Sequence, residues 1–160
     1  MMFGMSLETY TLVHVAISLI GIGSGLVMVF GMLKGRLLHG WNGLFLLTTV
    51  LTSATGFGFP FDHLLPSHKV GIISLLVLAI AIVARYVQHL AGGWRRTYAI
   101  TAVIALYLNV FVLLVQSFLK VPALHALAPE GKEPPFLLAQ LIVMAIFIGL
   151  GVGAVKKFRN

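Results

Sequence analysis

Apolar stretches alternate with short polar breaks along this chain, and the positions of Asp, Glu, Lys and Arg mark the breaks. Residues 9–33, 37–61, 97–119 and 134–155 contain none of these four types over 25, 25, 23 and 22 positions. At ~1.5 Å per helical residue, each run is long enough to cross a ~30 Å hydrocarbon core. A fifth run, 70–84, is shorter. It spans if the helix continues to about Leu90, with Arg85 reaching for the headgroups along its aliphatic stem. The pattern therefore predicts an all-α bundle of five transmembrane helices, at about 9–33, 42–60, 69–90, 96–119 and 135–156. They form a single transmembrane domain over 1–160, with outer loops at 61–68 and 120–134.

Composition turns a helical pattern into a membrane one. The chain is 59% hydrophobic and 9% charged, which leaves too little polar surface to cover a soluble core. The first run has no basic flank, is longer than a signal peptide, and lacks a small-residue cleavage pattern, so it is expected to stay as an anchor. With no cysteine, disulfides, thiolate metal sites and cysteine nucleophiles are excluded.

The net charge of +7 resembles a nucleic-acid signal until its distribution is drawn. Lys34, Arg36, Arg85, Arg95, Arg96, Lys156, Lys157 and Arg159 fall on one side of the predicted bundle. Glu8, Asp62, Glu130 and Glu133 fall on the other, with Lys69, Lys120 and Lys132. The positive-inside rule makes the basic side cytoplasmic and the amino terminus external, and no nucleic-acid partner is expected.

Candidate chemistry gathers between Thr48 and Lys69, TTVLTSATGFGFPFDHLLPSHK. Thr48, Thr52 and Thr55 share one helical stripe, which either bonds its own i−4 carbonyls or offers a polar face. The glycines and phenylalanines of GFGFPF pack a neighbouring helix or admit a flat ligand, and Pro60 ends the helix. Asp62, His63 and His68 are the residue types that hold zinc or copper, although their spacing matches no specific motif. Ser67 after Pro66 reads as an N-cap for the third helix.

Elsewhere, His14 sits inside helix 1 with Thr11 and Ser18 on its face, so it must meet a partner or water rather than lipid. Asn109 and Gln116 align on helix 4, and Gln140 lies near the outer end of helix 5. Buried amides of this kind bond across helices or line a pocket. Small residues at Gly21, Gly23, Ser24 and Gly25, and again at Gly149 and Gly153, mark close helix packing toward the cytoplasmic half. Six prolines stiffen the two outer loops, and Leu124, His125 and Leu127 suit a short helix on the outer surface.

The segments TSATGFGFPFDHLLPSHKVGIISL, ALYLNVFVLLVQSFLKVPALHALAP and EPPFLLAQ resemble an uncharacterised group of small bacterial multi-spanning inner-membrane proteins. The resemblance implies a bacterial inner (cytoplasmic) membrane location and brings no catalytic residues with it. The sequence has no phosphate loop, HExxH or nucleophile elbow.

These features predict a non-enzymatic membrane subunit or ligand-binding module. Its polar crevice lies in the outer half of the bundle, lined by His14, Thr48, Thr52, Thr55, Asn109, Gln116 and Gln140. It sits in the lipid bilayer and pairs with a partner membrane subunit or with itself. One alternative is an electron-transfer protein holding b-type haem or a metal through His14 with His63 or His68, and perhaps His39 with His89 inside. Bis-histidine ligation needs both rings at one depth, and the two histidines clearly within helices, His14 and His89, are predicted at opposite ends. The other alternative is a small oligomeric transporter, since five helices without a repeat give little room for alternating access.

Overall fold

The computed structural model describes residues 6–57, 66–129 and 133–158, giving the backbone but not the side chain at Leu7, His39, 66–68 and 119–120. Every regular element among the described residues is helical: α1 (Leu7–Leu33), α2 (His39–Gly56), α3 (Pro66–Ile82), α4 (Trp94–Lys120), α5 (Pro122–Leu127) and α6 (Pro134–Lys157). A π-helical turn, Val83–Val87, closes α3. Four of the helices, α1, α3 with its π turn, α4 and α6, are long and apolar enough to cross a membrane.

Helix ends follow local chemistry. The Ser6 side chain accepts the Thr9 backbone N–H at 3.2 Å and so caps α1, with Glu8 in the first turn against the positive end of the dipole. At the other end Gly35 takes φ +71°, its N–H reaching the Met32 carbonyl while Arg36 N–H reaches that of Gly31. That pair of bonds is a Schellman closure, which needs a left-handed residue and obtains it from glycine. Prolines open α5 and α6, where the missing N–H costs no helical bond.

Some boundaries differ from the sequence pattern. α2 starts at His39, ahead of the predicted residue 42, because the Asn42 side chain donates to the Leu38 carbonyl and extends the first turn backward. α3 starts at Pro66, so Ser67 lies inside its first turn rather than capping it. Residues 58–65, which hold Pro60, Asp62 and His63, lie outside the described residues. Within 120–134 the short helix expected around His125 is α5, and it begins at Pro122.

At the end of α3 the i→i+5 bond from Gln88 N–H to the Val83 carbonyl inserts the π turn, and His89 and Leu90 follow with φ of +51° and +59°. Consecutive left-handed non-glycine residues are costly, and a buried Leu90 holds them in place. The turn also redirects Arg85. Instead of reaching toward headgroups, Arg85 is buried, its guanidinium 5.0 Å from the Tyr86 ring and 6.0 Å from the Tyr98 ring.

α4 is the central element, with α6, α1, α2 and α3 forming an arc around it. Its Tyr98, Ala99, Ala102, Ala105 and Leu106 are fully enclosed, and the alanines let neighbouring backbones approach. The largest fully buried side chains, Tyr98, Phe45, Phe158, Met28 and Met32, gather at the end carrying Lys34, Arg95 and Lys156. A smaller cluster of Phe118, Ala128 and Phe136 joins α4, α5 and α6 at the opposite end.

α2 runs antiparallel along α1. Tyr10 meets Thr55 at one end, Gly25 faces Phe45 in the middle, and Gly31 faces Leu38 at the other. Its 18 residues cover about 27 Å.

Candidate functional site: a polar seam between α1, α2 and α4

Hydroxyls on α2 first satisfy their own helix. Thr48 donates to the Leu44 carbonyl at 2.7 Å, Thr52 to Thr48 at 2.8 Å and Thr55 to Leu51 at 2.6 Å. Each hydroxyl has one proton, so what remains outward is acceptor capacity.

Thr55 uses that capacity at the acidic end of the seam. Its Oγ1 lies 2.7 Å from His14 Nδ1, and because the Thr55 proton is committed to Leu51, His14 Nδ1 must be the donor. The Thr55 carbonyl also accepts the Tyr10 hydroxyl at 2.7 Å. One threonine thus clasps two residues of α1 that sit a helical turn apart. Thr52, half-buried, donates within its own helix to the Thr48 carbonyl. Thr55→Val is expected to loosen the helix pair by about 1–2 kcal/mol and Thr52→Val by under ~0.5 kcal/mol, read as unfolding free energies in micelles.

Deeper in the bundle, Ser18 donates to Asn109 Oδ1 at 2.9 Å, joining α1 to α4. Next to it Gly21 leaves room for three polar atoms. A side-chain carbon at Gly21 would lie 3.1 Å from Asn109 Nδ2, 3.1 Å from Thr49 Oγ1 and 3.2 Å from Thr48 Oγ1. Asn109 Nδ2 and Thr49 Oγ1 are both buried without a hydrogen-bond partner among the described residues. Unsatisfied groups in so apolar a setting are costly, and two of them converge on one glycine.

At the basic end a second network ties α2 to α4, and Arg95 Nε there is buried without a hydrogen-bond partner among the described residues. The Tyr98 hydroxyl donates to Asn42 Oδ1, Asn42 Nδ2 donates to the Leu38 carbonyl, and Arg85 reaches the same Tyr98 hydroxyl. Arg95 closes this end, its guanidinium 4.0 Å from the Phe158 ring.

The sequence-derived residues divide accordingly. His14 and Thr55 meet directly, and Thr48 and Asn109 meet over Gly21. Gln140 lies elsewhere, accepting the Tyr107 hydroxyl at 2.6 Å between α4 and α6. Tyr107 and Asn109 are two residues apart and so point to different sides of α4. Gln116 is half-buried on the Asn109 side, two turns further along. Asp62 and His63 lie outside the described residues, as do the side chains of His68 and His39. His89 is exposed at the end of the π turn. No group of three metal-ligating side chains assembles among the described residues.

Sequence reasoning missed Thr49, Tyr10 and the partners of Ser18. Thr49 adjoins the Thr48 stripe but points about 100° away from it, so no periodicity marks it. Fold and seam together define an all-helical protein with four membrane-capable helices and a polar seam inside the bundle. No family model, curated protein or solved structure matches the chain.

Proposed function

We propose that the protein is a non-enzymatic bacterial inner-membrane subunit or binding module whose seam takes a hydrogen-bond acceptor carried on an apolar molecule. A lipid ester or a quinone carbonyl has that chemistry. The observation that carries this reading is the convergence of Asn109 Nδ2 and Thr49 Oγ1, both buried and unpartnered, over Gly21. An amide N–H and a hydroxyl can donate together to one carbonyl oxygen, which has two lone pairs. His14, Ser18, Thr52 and Thr55 are half-buried, while the opposite end is packed with aromatic and methionine side chains.

In this reading α2 is a fifth crossing. Its length of about 27 Å, its lack of charge and its antiparallel run along α1 support that count. The shared end of Lys34, Arg36, Arg95, Arg96, Lys156 and Lys157 supports a cytoplasmic carboxyl terminus and an external amino terminus.

The test uses the full chain purified in mild detergent, with organic extracts compared by mass spectrometry between wild type, Thr49→Val and Asn109→Leu. Thr49→Val removes only an unsatisfied hydroxyl and is expected to be as stable as wild type or up to about 1 kcal/mol more stable, whereas Asn109→Leu also takes away the acceptor of the Ser18 hydroxyl and is expected to cost about 1 kcal/mol. Both are also expected to lose a co-purifying carbonyl-bearing lipid or quinone. Identical extracts from all three proteins would overturn the reading.

A further inference from the structure

Away from the seam, α4 and α6 leave a groove of about 400 Å³ between them, walled by Val103, Ile104, Tyr107, Phe147 and Val152 and ending at Lys156. Gly151 sets its depth, since a side-chain carbon there would come 3.5 Å from Val103 and begin to fill it. Along α6 the lining runs from Met144 to Lys156, about 18 Å, slightly more than one ~15 Å leaflet of hydrocarbon.

The mouth of the groove is charged. Lys156 lines it directly, and Arg96 stands one turn before Ile100 on the groove face of α4, with both side chains exposed. Within the groove the surface is almost wholly apolar, so a ligand must combine a long apolar body with an anionic end. A second copy of this chain would bring its own Arg96 and Lys156 to a symmetric interface along this face, and like charges oppose that.

We propose that the α4–α6 groove seats one acyl chain of an anionic phospholipid whose headgroup is held by Arg96 and Lys156. The site is separate from the α1–α2–α4 seam and does not depend on what the seam binds.

Native mass spectrometry of the full chain, titrated with palmitoyl-oleoyl phosphatidylglycerol or with the matching phosphatidylcholine, tests it. Wild type is expected to retain one phosphatidylglycerol with a preference of tenfold or more over phosphatidylcholine, given about fivefold for each nearby cation. Arg96→Gln/Lys156→Gln is expected to bring that ratio close to one. Lys34→Gln/Arg36→Gln removes equal charge from the same end and is expected to leave the ratio unchanged. Gly151→Leu, with both cations intact, is expected to reduce retention of both lipids. The proposal fails if the Lys34 and Arg36 control abolishes the preference equally, which would mean bulk charge alone. It also fails if Gly151→Leu binds as wild type does, or if delipidated Ile104→Cys/Ile148→Cys protein forms a disulfide-linked dimer across this face on oxidation.

Discussion

Gly25→Leu is expected to destabilise the bundle by about 3 kcal/mol, while Gly23→Leu, two residues away on the same helix, stays within ~0.5 kcal/mol. The difference lies in what each glycine faces. A carbon added at Gly25 would lie 2.6 Å from a Leu106 methyl and 2.8 Å from the Phe45 ring, inside the contact of α1 with α2 and α4. At Gly23 nothing lies within 4 Å. Phe45 is fully enclosed and Leu106 is locked against α1, so neither can swing aside and the backbones must part. Helix association in a bilayer relies on such close packing because lipid tails compete equally for apolar surface. Unfolding of detergent-solubilised variants by titrated dodecyl sulfate measures both changes. Equal losses at the two positions would contradict the geometry.

Asn42→Ala is the second large effect, at about 2 kcal/mol, with Tyr98→Phe costing about 1 kcal/mol. Asn42 and Tyr98 are both fully buried, and their hydrogen bond ties α2 to α4. Asparagine also holds the first turn of α2 through the Leu38 carbonyl. Its removal therefore leaves a cavity, a loosened helix start and a tyrosine hydroxyl that keeps only Arg85 and a long 3.8 Å contact to Met28 Sδ. Tyr98→Phe removes a single hydroxyl and no volume. The double variant is expected to cost about 1 kcal/mol less than the two singles summed, which a double-mutant cycle on the same unfolding assay reads directly. Hydrogen bonds between membrane helices average under ~1 kcal/mol, so packing at Gly25 outweighs this network.

Both pairs show how similar residues in a sequence take on different roles. Gly21, Gly23 and Gly25 look alike in a small-residue patch, yet one faces polar atoms, one faces open space and one carries a helix crossing. Thr48, Thr52 and Thr55 look like a polar face, yet each gives its proton to its own helix, and Thr55 alone receives a histidine. Arg85 looks like a side chain bound for the headgroups, and the π turn buries it. In each case the deciding contact comes from another helix or from an i→i+5 backbone bond, and neither leaves a periodic trace.

What the sequence determined by itself was the helical, membrane-suited character of the chain and the gathering of cations at its breaks. Those properties depend on composition and on the spacing of charges along a single line, because a charge in hydrocarbon is too costly to leave at random. Only the tertiary structure decided that α4 is the centre, that His14 answers to Thr55 and Ser18 to Asn109, and that Gln140 belongs to a different face. Which faces meet depends on rotation and depth of whole helices against one another. Packing sets these through glycine contacts scattered over distant parts of the chain.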